Sequence, residues 1–191
     1  DLDLHAFDFG HSYMTAIFNA PDDPLSQAYF ASLAAKVGED RAKEILGVNR
    51  HNTIIYPSCS PHTSFQQWRV IRPLSVNRTL VEIFTFRLDG APEELLQRTF
   101  TYSNVVNSPS SIVMTDDVHV YAECQKGLAT QGGDWVSQHR NAGQDLPFSG
   151  ADGGEIGLGT SELPIRNQFR AWREYMAGDV AETIPLQGSE R

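Results

Sequence analysis

The chain has 191 residues, 40% hydrophobic and 20% charged, which is enough for one domain with its own core and an ordinary soluble composition. Its net charge is −9 and its 15 basic residues are scattered, which argues against nucleic acid or an anionic membrane as a partner. No apolar run approaches the ~18 residues of a membrane helix, and the first residues lack the basic start and apolar stretch of a leader, so a cytoplasmic location is the expectation.

Residues 1–19 read as a strand, with Phe7, Phe9, Tyr13, Ile17 and Phe18 among small and polar residues and Gly10 as a bulge. Pro21 to Pro24 makes a turn and a helix start. From Leu25 to Leu46 the apolar residues form a helical stripe that breaks near Gly38 and stops at Gly47. Three antiparallel strands are then expected: Asn52–Tyr56, Thr63–Leu74 and Arg78–Leu88, with Ser75 to Arg78 joining the last two as a short hairpin. Pro92 with Glu93 and Glu94 opens the next helix, which carries Leu95, Leu96, Phe100, Tyr102, Val105 and Val106. Ser108-Pro109 interrupts it, because proline disfavours a helical residue before it, and helix is expected again from about Asp116 to Leu128. Residues 129–159 are rich in Gly, Gln, Asp and Ser and read as a long surface loop. A last helix starts near Ser161, and Ile165, Phe169, Trp172 and Met176 give it an apolar face expected to pin it to the sheet. Residues 1–178 thus form the domain and residues 179–191 a polar tail. The fold class expected is α+β, an antiparallel sheet wrapped around a long helical segment with a closing C-terminal helix.

Asp116 and Asp117 fall where the helix is expected to resume. Capping of the orphan amides is the simpler use of such a residue; one of the pair can cap while the other faces elsewhere. Arg69 and Arg72 could offer a planar fork to a carboxylate, but strand alternation separates their faces, and surface pairing is the simpler role. Trp68 and Phe65 read as core. Cys59 and Cys124 are too few for a cysteine cluster and read as two thiols. The histidines, His5, His11, His51, His62, His119 and His139, include no pair separated by five residues; surface or hydrogen-bonded roles are the simpler reading. His119 lies about 200° around a helix from Asp117, a poor position for a shared ligand.

Ser108-Pro109, then Asp116-Asp117, then Gln125-Lys126-Gly127-Leu128 resembles the α subunit of Rieske non-haem iron oxygenases, in particular the branch acting on benzoate-like aromatic acids. The run from Gln66 to Thr79, with its Arg-Val-x-Arg-Pro phrase, resembles that family's strand–turn–strand. Thr160-Ser161-Glu162 followed by Phe169 to Met176 resembles its closing helix. The resemblance covers about residues 10–176, and it is the order and spacing of these phrases together that make it specific.

The resemblance implies a C-terminal part of a catalytic domain with Asp117 as the carboxylate ligand of a mononuclear Fe(II) site. It also implies Asn107, Asn104 and His11 at the substrate cavity. The activity implied is hydroxylation of an aromatic ring, an aromatic acid in particular, by O2 to a cis-dihydrodiol. A Rieske [2Fe–2S] cluster would deliver the electrons, fed by a reductase with or without a ferredoxin, in an α3 or α3β3 oligomer. In the family the two iron-binding histidines and the Rieske domain lie upstream of the first strand seen here. The chain is therefore expected to be a fragment, inactive by itself. The alternative is a non-catalytic domain of helix-grip shape (START/Bet v 1-like, the shape also implied for the fold) that holds a hydrophobic small ligand.

Overall fold

The structure, a computed structural model, describes residues 2–15, 22–48, 50–62, 66–133, 135–150 and 153–178. The expected strand residues Ile17, Phe18, Thr63 and Phe65, the turn residue Pro21 and the 179–191 tail lie outside the described residues.

Two antiparallel sheets organise the chain. The first contains β1 (Asp3–Ala6), β2 (Ser12–Met14), β3 (His51–Ile54), β7 (Leu146–Pro147) and β8 (Glu155–Leu158), in the order β3-β2-β1-β8-β7. The second is β4 (Cys59–His62), β5 (Gln67–Ser75) and β6 (Arg78–Thr85), in chain order. The opening segment is thus a hairpin rather than one strand, its corner a short 3-10 turn at Asp8–Gly10. Gly10 has φ +84, and a Cβ there would come within 2.9 Å of both the Ala171 Cβ and the Tyr56 ring. Glycine is needed at this corner for conformation and for space.

The helices are α1 (Pro24–Val37), α2 (Glu39–Leu46), α3 (Glu93–Asn107), α4 (Ile112–Leu128) and α5 (Leu163–Ala177). Asp23 caps α1, its Oδ1 accepting from the Leu25 and Ser26 amides at 3.0 and 3.1 Å. Gly38, at φ +88, divides α1 from α2 where the sequence stripe breaks. Tyr29 of α1, Ala91 and Leu95 of α3 form a buried cluster with Leu25, Leu46 and Leu88 around it. An ion pair between Arg98 and Asp23 at 2.9 Å also joins the two helices. Toward the second sheet, α3 presents Thr99, whose hydroxyl donates to Gln66 Oε1 at 2.7 Å, and Ser103, which meets Thr85.

The helix-grip expectation (START/Bet v 1-like) is overturned. No single sheet wraps a long helix: the chain bends between β3 and β4 from one sheet into another, and α3 and α4 are separate helices. The 129–159 stretch is not all loop, because β8 pairs with β1 from Asp3↔Leu158 to Ala6↔Glu155 inside the first sheet. The closing helix turns its apolar stripe outward, with Phe169 57% and Trp172 53% exposed, and buries Leu163, Asn167 and Ala171 instead. What holds it is polar. The Asn167 side-chain amide donates to the carbonyls of Phe7 and His11 at 2.8 and 3.1 Å.

Candidate functional site

Helix α4 begins earlier than its sequence suggests. Ser111 is the cap, its Oγ accepting from the Val113 amide at 3.1 Å. Asp116 and Asp117 therefore lie in the second turn, beyond the orphan amides, and the capping role expected for one of them is excluded. Asp116 is exposed, whereas Asp117 is half-buried, on the side that also carries half-buried Met114 and Gln125. Met114 and Gln125 fall within about 20° of one line along the helix, and Asp117 lies about 60° from it. Gln125 Nε2 donates to Val76 O at 3.3 Å, so this side of α4 meets the turn between β5 and β6. Asp117 makes no hydrogen bond or ion pair with any described residue.

On α3, Thr99, Ser103 and Asn107 recur every fourth residue, and Ser103 meets Thr85 of β6. The Asn107 amide donates to Ser103 O at 2.9 Å and to its hydroxyl at 3.2 Å, while its Oδ1 is buried without a donor. Asn104 is exposed. His11 lies between the Asp8–Gly10 turn and β2, beside the first sheet, where its Nδ1 accepts from the Tyr56 amide at 3.1 Å. It borders an open hollow of about 340 Å³ with Phe7, Tyr13, Arg50 and Ile54. Among the described residues no hydrogen bond or ring contact joins His11 to Asp117, Asn107 or Asn104, so the candidate residues fall into two groups.

His5 is buried in β1 and stacks on Tyr13 with ring centroids 4.5 Å apart, and burial lowers its pKa. His119 and His139 are exposed. Among the described residues no group of three or more His, Cys, Asp or Glu is placed to hold a metal ion. Both cysteines are free, Cys124 exposed and Cys59 half-buried.

One cluster is not legible in the sequence. The rings of His51 on β3 and His62 on β4 meet edge to face at 4.6 Å. His62 is 6% exposed, and burial first, then the charges of His51 and Arg69, holds its pKa at about 4. Arg69 on β5 is half-buried, with its Nε enclosed and without an acceptor. Tyr102 of α3 lies near enough for the Arg69 charge to oppose the rise that burial causes in its pKa. The signal that could have found this cluster was register: Ser60 pairs with Arg69 and His62 with Gln67, which puts all four on one face. That register needed β4, which the sequence reading did not assign.

Two antiparallel sheets flanked by helices make up the architecture. Over most of its length the chain strongly resembles the α subunits of Rieske aromatic-ring-hydroxylating dioxygenases. It is 31% identical over 185 residues to the toluate 1,2-dioxygenase subunit alpha of Pseudomonas putida, covering 91% of this chain and 39% of that protein. It is 30% identical over 161 residues to the 2-halobenzoate 1,2-dioxygenase large subunit of Burkholderia cepacia, covering 83% of this chain and 34% of that one. The chain thus spans well under half the length of these relatives. No family model matches it. Among solved structures, naphthalene 1,2-dioxygenase with indole in its active site superposes with a TM-score of 0.72 at 17% identity, over 92% of this chain and 42% of that one. A naphthalene 1,2-dioxygenase variant bound to phenanthrene gives a TM-score of 0.68 at 18% identity, with the same coverage. These likenesses establish the fold as the catalytic-domain architecture of such oxygenases, in place of the helix grip.

Proposed function

We propose that residues 1–178 are the C-terminal part of the catalytic domain of an aromatic-ring-hydroxylating dioxygenase α subunit. The longer protein would cis-dihydroxylate an aromatic acid with O2. The observation that carries this reading is Asp117, a half-buried carboxylate without a partner among the described residues, at the position where the motif's resemblance to the Rieske oxygenase family implies a metal ligand.

The described residues fit the implied iron site in part: Asp117 offers one carboxylate, and no cluster of three donors accompanies it. The remaining ligands, two histidines, and the Rieske [2Fe–2S] domain are assigned to sequence outside this chain. Held by Asp117 together with two imidazoles, an Fe(II) ion would supply the activation of O2. Asp117, facing inward from a rigid helix, fixes the direction of the carboxylate and supplies negative charge. Asn107 offers a buried Oδ1 to a donor on the substrate side, and Asn104 lies at the exposed rim. His11, with Nδ1 taken by the Tyr56 amide, carries its proton on Nε2 when neutral and can donate it. Electrons are assigned to a reductase, with or without a ferredoxin, and the assembly to an α3 or α3β3 oligomer in the cytoplasm. No helix among the described residues is long and apolar enough to cross a membrane.

The test is Asp117→Ala in the longer protein. Product formation should be abolished and mononuclear iron content should fall, with the absorption of the Rieske cluster intact. Asp116→Ala should leave activity and iron content unchanged. Full activity in Asp117→Ala would end the assignment, and an inactive Asp116→Ala beside an active Asp117→Ala would move the ligand by one residue.

A further inference from the structure

Arg69 departs from the other arginines that the fold draws inward. Arg166, also half-buried, pairs with Asp145 at 2.5 Å. Several exposed arginines also find acids, Arg41 with Glu44, Arg98 with Asp23, Arg170 with Glu155, and Arg72, three residues beyond Arg69, with Glu82, while Arg78 and Arg173, which pair with none, are exposed to water. Arg69 has none. Its guanidinium makes no hydrogen bond or ion pair with a described residue, and its Nε is shut away from solvent. A guanidinium half-withdrawn from water, with its Nε enclosed and no counterion, keeps donors unsatisfied and so offers a place for an anion.

The surroundings state which anion. Gln67, two residues before Arg69, pairs across the sheet with Thr85, whose hydroxyl meets Ser103 of α3. Arg69 therefore lies on the face that looks toward α3, with Ser60 opposite it on β4 and half-buried Ile83 opposite it on β6. His62 lies on the same face one pair further along, and Tyr102 of α3 lies within reach of the Arg69 charge. Burial and the nearby cations keep His62 and His51 neutral at pH 7, so neither adds charge nor removes it. One cation, neutral polar groups beside it and an apolar residue across from it suit a flat molecule with a single carboxylate on one edge. The planar guanidinium takes a carboxylate with two parallel hydrogen bonds.

We propose that Arg69, with Ser60, His62 and Tyr102 around it, is the subsite that holds the carboxylate of an aromatic-acid substrate between the second sheet and α3. This inference deepens the aromatic-acid reading above and rests on it.

The experiment uses the longer protein with its reductase, and benzoate and neutral benzamide as probes, following product and O2 consumption. The intact protein should favour benzoate. Arg69→Met should raise KM for benzoate by about tenfold or more, the size of one charge-assisted hydrogen-bonded pair, and raise KM for benzamide, whose neutral carbonyl makes the weaker bond, several-fold less. Arg69→Lys keeps the charge but not the fork, and should give a smaller rise, again larger for benzoate. An unchanged KM for benzoate in Arg69→Met overturns the subsite and leaves the dioxygenase reading intact. Equal losses on both probes, with a lower melting temperature, also overturn it, because Arg69 would then pair with an acid supplied elsewhere in the longer protein. If Arg69→Met does not fold, Arg69→Lys decides: equal effects on benzoate and benzamide overturn the subsite. An intact protein that oxidises neutral arenes but not benzoate overturns the aromatic-acid reading itself, and the subsite with it.

Discussion

Replacing Asn167 with alanine should cost far more than its polar character suggests. The side chain is 4% exposed, and its one amide group donates to two carbonyls more than 150 residues away, those of Phe7 and His11. The two bonds are not equivalent. The His11 carbonyl also accepts from the Phe7 amide at 2.9 Å and keeps that bond when Asn167 is lost. The Phe7 carbonyl loses the bond from Asn167 and is left facing the space of a side chain that is only 4% exposed. An acceptor stranded in this way costs about 1–3 kcal/mol, and the second bond to His11 adds about 1 kcal/mol. The expected loss is therefore about 2–4 kcal/mol, read as a shift in the urea midpoint with the m-value unchanged. Asn167→Asp should be at least as damaging at neutral pH, because it turns an acceptor-only group toward two carbonyl oxygens. An Asn167→Ala loss below about 0.5 kcal/mol, the scale of an ordinary surface change, would show that α5 is held by something other than this clamp.

Two further outcomes are expected. Ser111→Ala should lower stability by about 1 kcal/mol through loss of the α4 cap, whereas Asp116→Ala should stay within about 0.5 kcal/mol; chemical denaturation of both variants checks where the helix starts. His62 has its pKa lowered from 6.5 to about 4 by burial, so the folded state resists the proton that the unfolded chain accepts. Its contribution is complete above pH 6.5 and is lost as pH falls from 6.5 toward 4, an effect on the order of 3 kcal/mol. His62→Gln should flatten the stability profile across that window, and parallel profiles for the two proteins would refute the burial argument.

Local signals in the sequence were read correctly where the chemistry is local. The Ser75–Arg78 hairpin, the break at Gly38 and the start of α3 after Pro92 all follow from turn and cap preferences of a few adjacent residues. What escaped depended on distant partners. The strand Cys59–His62 carries a proline and no β-branched residue, and it is a strand only because β5 lies beside it. Glu155–Leu158 sits in a glycine-rich stretch and gains its ladder from β1. The start of α4 was hidden by Ile112 and Val113, β-branched residues that favour strands, and by the acidic pair, which looks like a cap and is not one. The closing helix misled for a different reason. Its periodic apolar residues predict one buried side, yet the side it buries is set by Asn167 bonding to the backbone and by Ala171 fitting against Gly10. Of the candidate site, Asp117, Asn107, Asn104 and His11 came from resemblance, while the His51, His62 and Arg69 cluster required strand register.

The charges that the fold leaves unmatched bear on function more directly than the cavities do. Asp117 and Arg69 are both half-buried, carry opposite charge, and sit on elements that both approach the second sheet, β5 within it and α4 at its turn. Two such groups in contact would satisfy one another, as Arg166 and Asp145 do at 2.5 Å. They form no such pair, so neither charge is offset by the other. The proposed reading gives each a ligand of the opposite sign, a metal cation for Asp117 and a substrate carboxylate for Arg69, which accounts for both open charges with one bound molecule and one ion. The variants separate the two roles: loss of Asp117 removes turnover of benzoate and benzamide alike, whereas loss of Arg69 removes the preference between them.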